Sequence, residues 1–191
     1  PKPVIIIEGI IGILIGTLIA TVRVIPKYKR LPRVLDAICS VYVGFFRGTP
    51  MVVQLLLFYY VLLPIVGGHM TGVQVAMLVF GLNSGAYISE IMRGGILSVD
   101  PGQMEAAKSL GMTNTQTMVS IIFPQAIKNT FPSLGNQFIV NIKDSCMLNA
   151  ISVVELFFQA QSVAGTNMRY IEVYLVVALI YLTLTTVATF A

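Results

Sequence analysis

The sequence predicts an all-α integral membrane protein, five transmembrane helices making a single domain over residues 1–191. Three observations predict it. Hydrophobic residues make up 56% of the chain and charged residues only 10%, against about 25% charged in an ordinary soluble domain. A soluble monomer of this composition would leave large apolar patches in water, which such proteins avoid. Apolar runs recur near the roughly 20 residues that cross a hydrocarbon core, and the basic residues cluster at the ends of these runs.

The first span, Val4 to Val22, carries one charge, Glu8, near its outer end. The second is densest from Gly48 to Val66. The third, Gly72 to Met92, is apolar until Glu90. The fourth, around Phe131 to Ile142, is short and polar. The fifth, Ile171 to Phe190, has Glu172 at its start and no charge after it.

Orientation follows from the charges between spans. Arg23, Lys27, Lys29, Arg30, Arg33 and Arg47 stand between spans one and two against a single Asp36, and Gly67 to Thr71 has no Lys or Arg. The connection from Arg93 to Lys128 is basic again. Positive charge marks cytoplasmic connections, so the N-terminus is expected outside and the C-terminus inside. No cleavable signal peptide is visible. The chain begins without Met and stops within an apolar run at Ala191, so trimming at both ends is expected.

Within the spans, Gly12 and Gly16, Gly44 and Gly48, and Gly81 and Gly85 sit four apart. That spacing puts each pair on one helical face and predicts close helix contacts where lipid gives no hydrophobic drive. Phe123 to Ile142 holds Pro124, Pro132, Gly135, Asn129, Asn136, Gln137 and Asn141. It is expected to be a broken helix that faces protein or a water-filled cavity, because lipid leaves freed backbone groups unpaired. Two readings stay open: a solute pathway, or a re-entrant structural segment.

Several chemistries are excluded or weakly supported. No G-x-x-x-x-G-K-[ST] phosphate loop occurs, so the chain does not cradle ATP by that route. The single His69 lies in an outer loop and reads as a solvated residue. No metal-ligand cluster or nucleophile–base pair stands out, and an enzyme is not expected. Cys39 and Cys146 fall on opposite sides of the membrane and do not pair. The basic residues are not interleaved with aromatics, which argues against nucleic acid.

Asp100 to Pro124 reads as two short helices on the cytoplasmic face. Asp100 caps the first, with Pro101 at its first position and Gln103 in a capping-box arrangement. Gly111 suits the left-handed residue that ends a helix, and Thr113 with Gln116 repeats the capping box. Small Ala106 and Ala107 fit this unit to seat in a groove of another protein.

Glu105-Ala106-Ala107, three residues, Gly111, nine residues, Ile121, one residue, Phe123 and Pro124 resembles the EAA loop of binding-protein-dependent ABC permeases; Phe123 replaces the usual Leu. Arg47-Gly48-Thr49-Pro50 with Gln54 and Leu55, Ala86-Tyr87 with Glu90, Arg93-Gly94-Gly95-Ile96, and Gly102-Gln103 are similar to the polar amino acid uptake branch. Lys143-Asp144-Ser145-Cys146-Met147-Leu148 departs from the commoner Lys-Asp-Thr-Ser-Leu, near the expected solute pathway. The likeness covers nearly the whole chain.

That resemblance implies a type I ABC importer (MetI-like) permease fold in the bacterial inner membrane. The loop at about 100–124 would couple to a dimer of ABC ATPase subunits through Glu105, Ala106, Ala107, Leu110 and Gly111. No cofactor is implied in this chain, ATP and Mg being bound by those partners. The other implied partners are an extracellular or periplasmic amino acid binding protein, a second permease copy or paralogue, and the lipid bilayer. The implied cargo is a polar amino acid of the glutamine, glutamate, arginine, histidine or cystine class.

Ionisable residues at membrane depth are costly and tend to be functional. Glu90, Lys143, Asp144 and Glu155 are the pathway candidates, with Gln54 and Asn83 as polar helpers. A zwitterion needs an anion for its ammonium and a cation or helix N-terminus for its carboxylate, which Glu90 and Lys143 would supply if they met. The alternatives are that Glu90 pairs with Arg93 three residues on and that Lys143 and Asp144 form a solvated pair. An ion-driven secondary transporter and a non-transporting scaffold subunit remain the rival functions.

Overall fold

A computed structural model describes the backbone of residues 2–24 and 30–190 and the side chains of 6–24 and 33–190. Lys27 and Lys29 of the first basic connection lie outside the described residues, as does the Arg30 side chain. Among the described residues all regular structure is helical. Three helices are long and apolar enough to cross a membrane alone, and the count reaches five when each of two bent pairs makes one span.

The centre is the pairing of α1 (Lys2–Val24) with α4 (Gly72–Leu97). The two run parallel, as Ile11 meets Gly81, Ile15 meets Gly85 and Gly16 meets Ile88. A Cβ added at Gly16 would stand 2.6 Å from Ile88 Cγ2, and one at Gly85 2.9 Å from Ile15 Cγ2. The small-residue spacing therefore marks two facing surfaces, each glycine admitting an isoleucine from the other helix. Gly44 and Gly48 differ, since a Cβ at either would meet nothing within 4 Å.

α4 starts at a reciprocal cap. Thr71 accepts from the Gln74 N–H and the Gln74 side chain accepts from the Thr71 N–H, which satisfies two of the end donors a helix leaves open. Its Val75, Val79 and Phe80 are buried with Leu55, Leu148 and Ile151. α7 (Phe123–Asp144) packs antiparallel to it, with Thr130 beside Met92 and Asn141 beside Ser84. At Gly95 the approach is so close that any side chain would strike Thr130 Cγ2.

The second span is not the straight run Gly48 to Val66. The chain between Arg30 and Gly48 forms α2, strongly amphipathic and packed on α4 through Tyr42, Val43 and Phe46. It breaks at Thr49-Pro50, and α3 (Met51–Leu56) leaves at 109° to it, running on through a π-helical Leu57–Leu62 and a last turn Leu63–Ile65. Proline has no N–H to donate, and Pro50 stands at the cap of α3 in an extended conformation. The basic charges that read as a connecting loop thus ride largely on a helix.

The fourth span also differs from its expected broken form. α7 is continuous through Pro132. The break follows it, where a 3-10 turn, Ser145–Ile151, gives way to α8 (Leu156–Asn167) at 56°. α9 (Tyr170–Phe190) closes the chain and is largely exposed, as suits a helix solvated by lipid.

Between α4 and α7 stand α5 (Pro101–Ser109) and α6 (Asn114–Thr117), the latter extended by a π-helical Met118–Ile122. Asp100 caps α5 by accepting from the Gly102 N–H at 2.7 Å, without the reciprocal Gln103 bond. The Thr113–Gln116 capping box forms in full, and Gly111 takes φ +78°.

Candidate functional site

Glu90 stands on α4 where three arginines converge. Arg23 of α1 binds one carboxylate oxygen directly, Arg93 reaches the other at 2.9 Å, and Arg47 of α2 stands 3.7 Å from that same oxygen. Arg23 also faces Asp36 at 3.8 Å. The expected Glu90–Arg93 pair is therefore present, inside a larger cluster. A lone carboxylate as buried as this one, 18% exposed, would be costly, and the guanidinium groups offset its charge.

This cluster forms one wall of a cavity of about 500 Å³. Arg47, Tyr87 and Glu90 line that wall, and Ser133, Asn136 and Gln137 of α7 line the other. Positions 133, 136 and 137 share one face of a helix, so the polar residues of the fourth span form a stripe rather than a break. The Arg47 guanidinium lies 5.5 Å from the centre of the Tyr87 ring, within the range of a cation–π contact.

Gln54 and Asn83 meet one turn along α4 from this wall. Gln54 accepts from Asn83 at 2.9 Å and donates to the Phe46 carbonyl at 2.9 Å and to Thr49. The Asn83 amide also reaches the Phe46 carbonyl, at 3.1 Å. Both side chains are buried, and their bonds hold the carbonyls that the α2–α3 break frees. Their visible work is to fix the corner that carries Arg47.

On the other side of the cavity Gln137 donates to Asn141 at 3.0 Å, and Asn141 donates to Ser84 at 2.8 Å. Glu8 of α1 lies beside Asn141, whose amide is engaged by Ser84. It is fully buried, and neither of its oxygens has a hydrogen-bond partner.

The remaining candidates lie apart. Lys143 is exposed and Asp144 half-buried at the far end of α7; among the described residues no ion pair joins Lys143 to Glu90. Glu155 caps α8, accepting from the Phe157 and Phe158 N–H groups at 2.7 and 2.6 Å, with the Tyr181 hydroxyl at 3.4 Å. Its negative charge suits the positive end of that helix. Among the described residues no group of three His, Cys, Asp or Glu is placed to hold a metal ion.

At the α5–α6 knob, Glu105, Ala106 and Gly111 are exposed, Leu110 is 82% exposed, and Ala107 is 1% exposed. The two alanines of the motif thus face opposite ways. Ala106 and Leu110, four apart, offer a small and a bulky apolar group to an outside surface, while Ala107 packs into the protein.

Residues 12–191 match the family described as binding-protein-dependent transport system inner membrane component. The chain belongs to that family. The probable amino-acid permease protein YxeN of Bacillus subtilis (strain 168) is 41% identical over 181 residues, covering 94% of this chain and 79% of the relative. The L-cystine transport system permease protein TcyB of the same organism is 38% identical, covering 90% and 73%. A putative glutamine transport system permease protein GlnP of Rickettsia bellii (strain RML369-C) is 37% identical, covering 95% and 86%.

The permease is also similar to a crystal structure of an amino acid ABC transporter with histidines, at TM-score 0.88 and 38% identity, over 98% of this chain and 85% of that one. An inward-facing MetNI methionine ABC transporter matches at TM-score 0.78 and 20% identity over 99% and 88%, and shares the fold. The all-α MetI-like architecture is therefore that of an ABC importer's permease subunit, which is not itself an ATPase.

Of the cavity residues the sequence marks only Glu90 as a pathway candidate; Pro132, Asn136 and Gln137 stand out only as part of the polar fourth segment, and Arg47, Tyr87, Ile91 and Ser133 are not singled out as pathway residues. Arg47 reads as a loop charge until α2 is seen to be a helix. The amphipathic pattern of Arg30–Gly48 was the available signal, and the density of basic residues masked it. In this permease those charges do two jobs, since Arg23, Arg47 and Arg93 hold Glu90 as well as lying near span ends.

Proposed function

We propose that this permease is the membrane subunit of an ATP-driven importer of a polar amino acid handed over by an extracellular binding protein. The glutamine, glutamate, arginine, histidine and cystine class is the range considered. The observation that carries this reading is the cavity among α2, α4 and α7, where a guanidinium, a carboxylate, two hydroxyls and two amides face one space in a chain whose relatives are amino-acid permeases. Polar groups that face one space between membrane helices suit the passage of a polar solute.

The knob at about 100–124 faces the cytoplasm in this reading, with the N-terminus outside and the C-terminus inside. The parallel course of α1 and α4 puts the end of α1 and the knob on the same side, and the basic residues Arg23 and Arg93 there favour the cytoplasm. Two permeases, identical or paralogous, present two knobs to two ATPase subunits, which bind ATP and Mg. Glu105, Ala106, Leu110 and Gly111 form the outer contact, and Ala107 sets the knob on its base. ATP-driven closure of the ATPases moves the knobs and opens the cavity to the outside.

Reconstitution of the permease with its ATPase subunits and binding protein in proteoliposomes tests this. Uptake of a radiolabelled amino acid that requires ATP and the binding protein is expected. Uptake that follows an ion gradient without ATP would overturn it.

A further inference from the structure

We propose that Arg47 binds the carboxylate of the carried amino acid, and that the cavity reads this group and not the ammonium. The inference rests on the importer reading and specifies its site. Around Glu90, Arg23 and Arg93 make the close bonds, and Arg47 stands beyond hydrogen-bond distance at 3.7 Å. Among the described residues, Arg23, Arg47 and Arg93 are the three cations around the Glu90 carboxylate, so the positive charge next to Glu90 exceeds its single negative charge. That excess lies with the arginine least engaged by its neighbours, whose side chain is 44% exposed against 17% for Arg23 and 36% for Arg93.

The guanidinium is also held in place. Its stem leaves the end of α2, its central carbon lies 5.5 Å from the centre of the Tyr87 ring, and the Gln54–Asn83 bonds fix the corner below it. A guanidinium so positioned presents paired N–H donors that match the two oxygens of a carboxylate. Glu90, by contrast, is already bonded by two arginines and has little left for an ammonium. Ser133, Asn136 and Gln137 on the facing wall are uncharged and offer both donors and acceptors to a polar side chain. A cavity of about 500 Å³ falls within the range that small-molecule sites occupy.

The test is equilibrium binding to the purified permease–ATPase complex in lipid nanodiscs, without the binding protein. The probes are radiolabelled L-glutamine, L-glutamate, L-arginine, L-histidine and L-cystine, each competed by its own unlabelled acid and by the corresponding α-amide. At least one probe is expected to bind the wild-type complex, displaced by the acid about tenfold or more better than by the amide, the loss expected when a charge-assisted hydrogen bond is removed. Arg47→Gln should weaken binding of that acid by a similar factor and abolish the preference over the amide; Arg47→Lys should restore part of it.

Equal competition by acid and amide in the wild type would overturn the proposal without recourse to any variant. So would unchanged acid binding in Arg47→Gln, or the failure of all five probes to bind. ATP-driven uptake in the proteoliposome experiment would then leave the importer reading standing while this assignment fell.

Discussion

Gly16 of α1 lies against Ile88 of α4, so that a methyl group at position 16 would come within 2.6 Å of Ile88 Cγ2. Ile88 is itself buried, and its Cβ at 2.7 Å and the Gly85 carbonyl oxygen at 3.0 Å are fixed to the backbone and cannot swing aside. Overpacking of this kind costs about 1–3 kcal/mol. Gly16→Ala is therefore expected to lower the unfolding temperature of the detergent-purified permease, and Gly16→Leu to lower it further. Gly44→Ala, at a position with nothing within 4 Å, should leave it nearly unchanged.

Gln54 and Asn83 stand or fall together. Leucine at position 54 would remove the acceptor of the Asn83 amide and the Gln54 donor from the Phe46 and Thr49 carbonyls, leaving Phe46 only the Asn83 amide. A buried polar group left unpaired costs about 1–3 kcal/mol. Gln54→Leu and Asn83→Leu should each destabilise the permease, and the double variant should lose less than the sum of the two. Additive losses in such a cycle, read by chemical or thermal unfolding, would mean that the pair is not coupled.

The features legible in the sequence were those that local spacing controls. Apolar run length marked α1, α4 and α9, glycines four apart marked the α1–α4 contact, and Thr113 with Gln116 marked a helix start that forms as expected. The α2 helix was not legible as a span, because its basic residues lower the mean hydropathy that reveals membrane helices. The corner at Thr49-Pro50 then looked like the start of a span instead of its middle. Which charges meet is a tertiary fact: Glu90 was visible as a costly residue, but nothing local in the sequence shows that it meets Arg23 and Arg47 and not Lys143. Glu155 looked like a pathway carboxylate for the same reason, since its cap becomes evident only once α8 is known to start at Leu156.

Glu8 presents the opposite problem from Glu90. Its carboxylate is fully buried with no hydrogen-bond partner, and an uncompensated polar group of that kind costs about 1–3 kcal/mol or more. Glu8→Gln and Glu8→Leu are expected to leave the permease as stable or to raise its unfolding temperature, and Glu8→Lys to lower it. Clear destabilisation by glutamine would show that Glu8 has an ionic partner in the assembled transporter.

The two alanines of the knob should respond differently to the same insult. Ala106 is exposed and Ala107 is 1% exposed, so arginine at 106 enlarges a surface while arginine at 107 forces a charge into packed protein. Ala106→Arg is expected to leave membrane insertion and unfolding temperature unchanged. Its substrate-stimulated ATP hydrolysis should fall about tenfold or more, the scale on which a central interface residue acts. Ala107→Arg should lose coupling and stability together. The comparison needs both readings on the same preparations, ATP turnover with and without the liganded binding protein, and thermal unfolding. If Ala106→Arg kept full coupling, the exposed face of α5 would not be what the ATPase grips, whatever happened at Ala107.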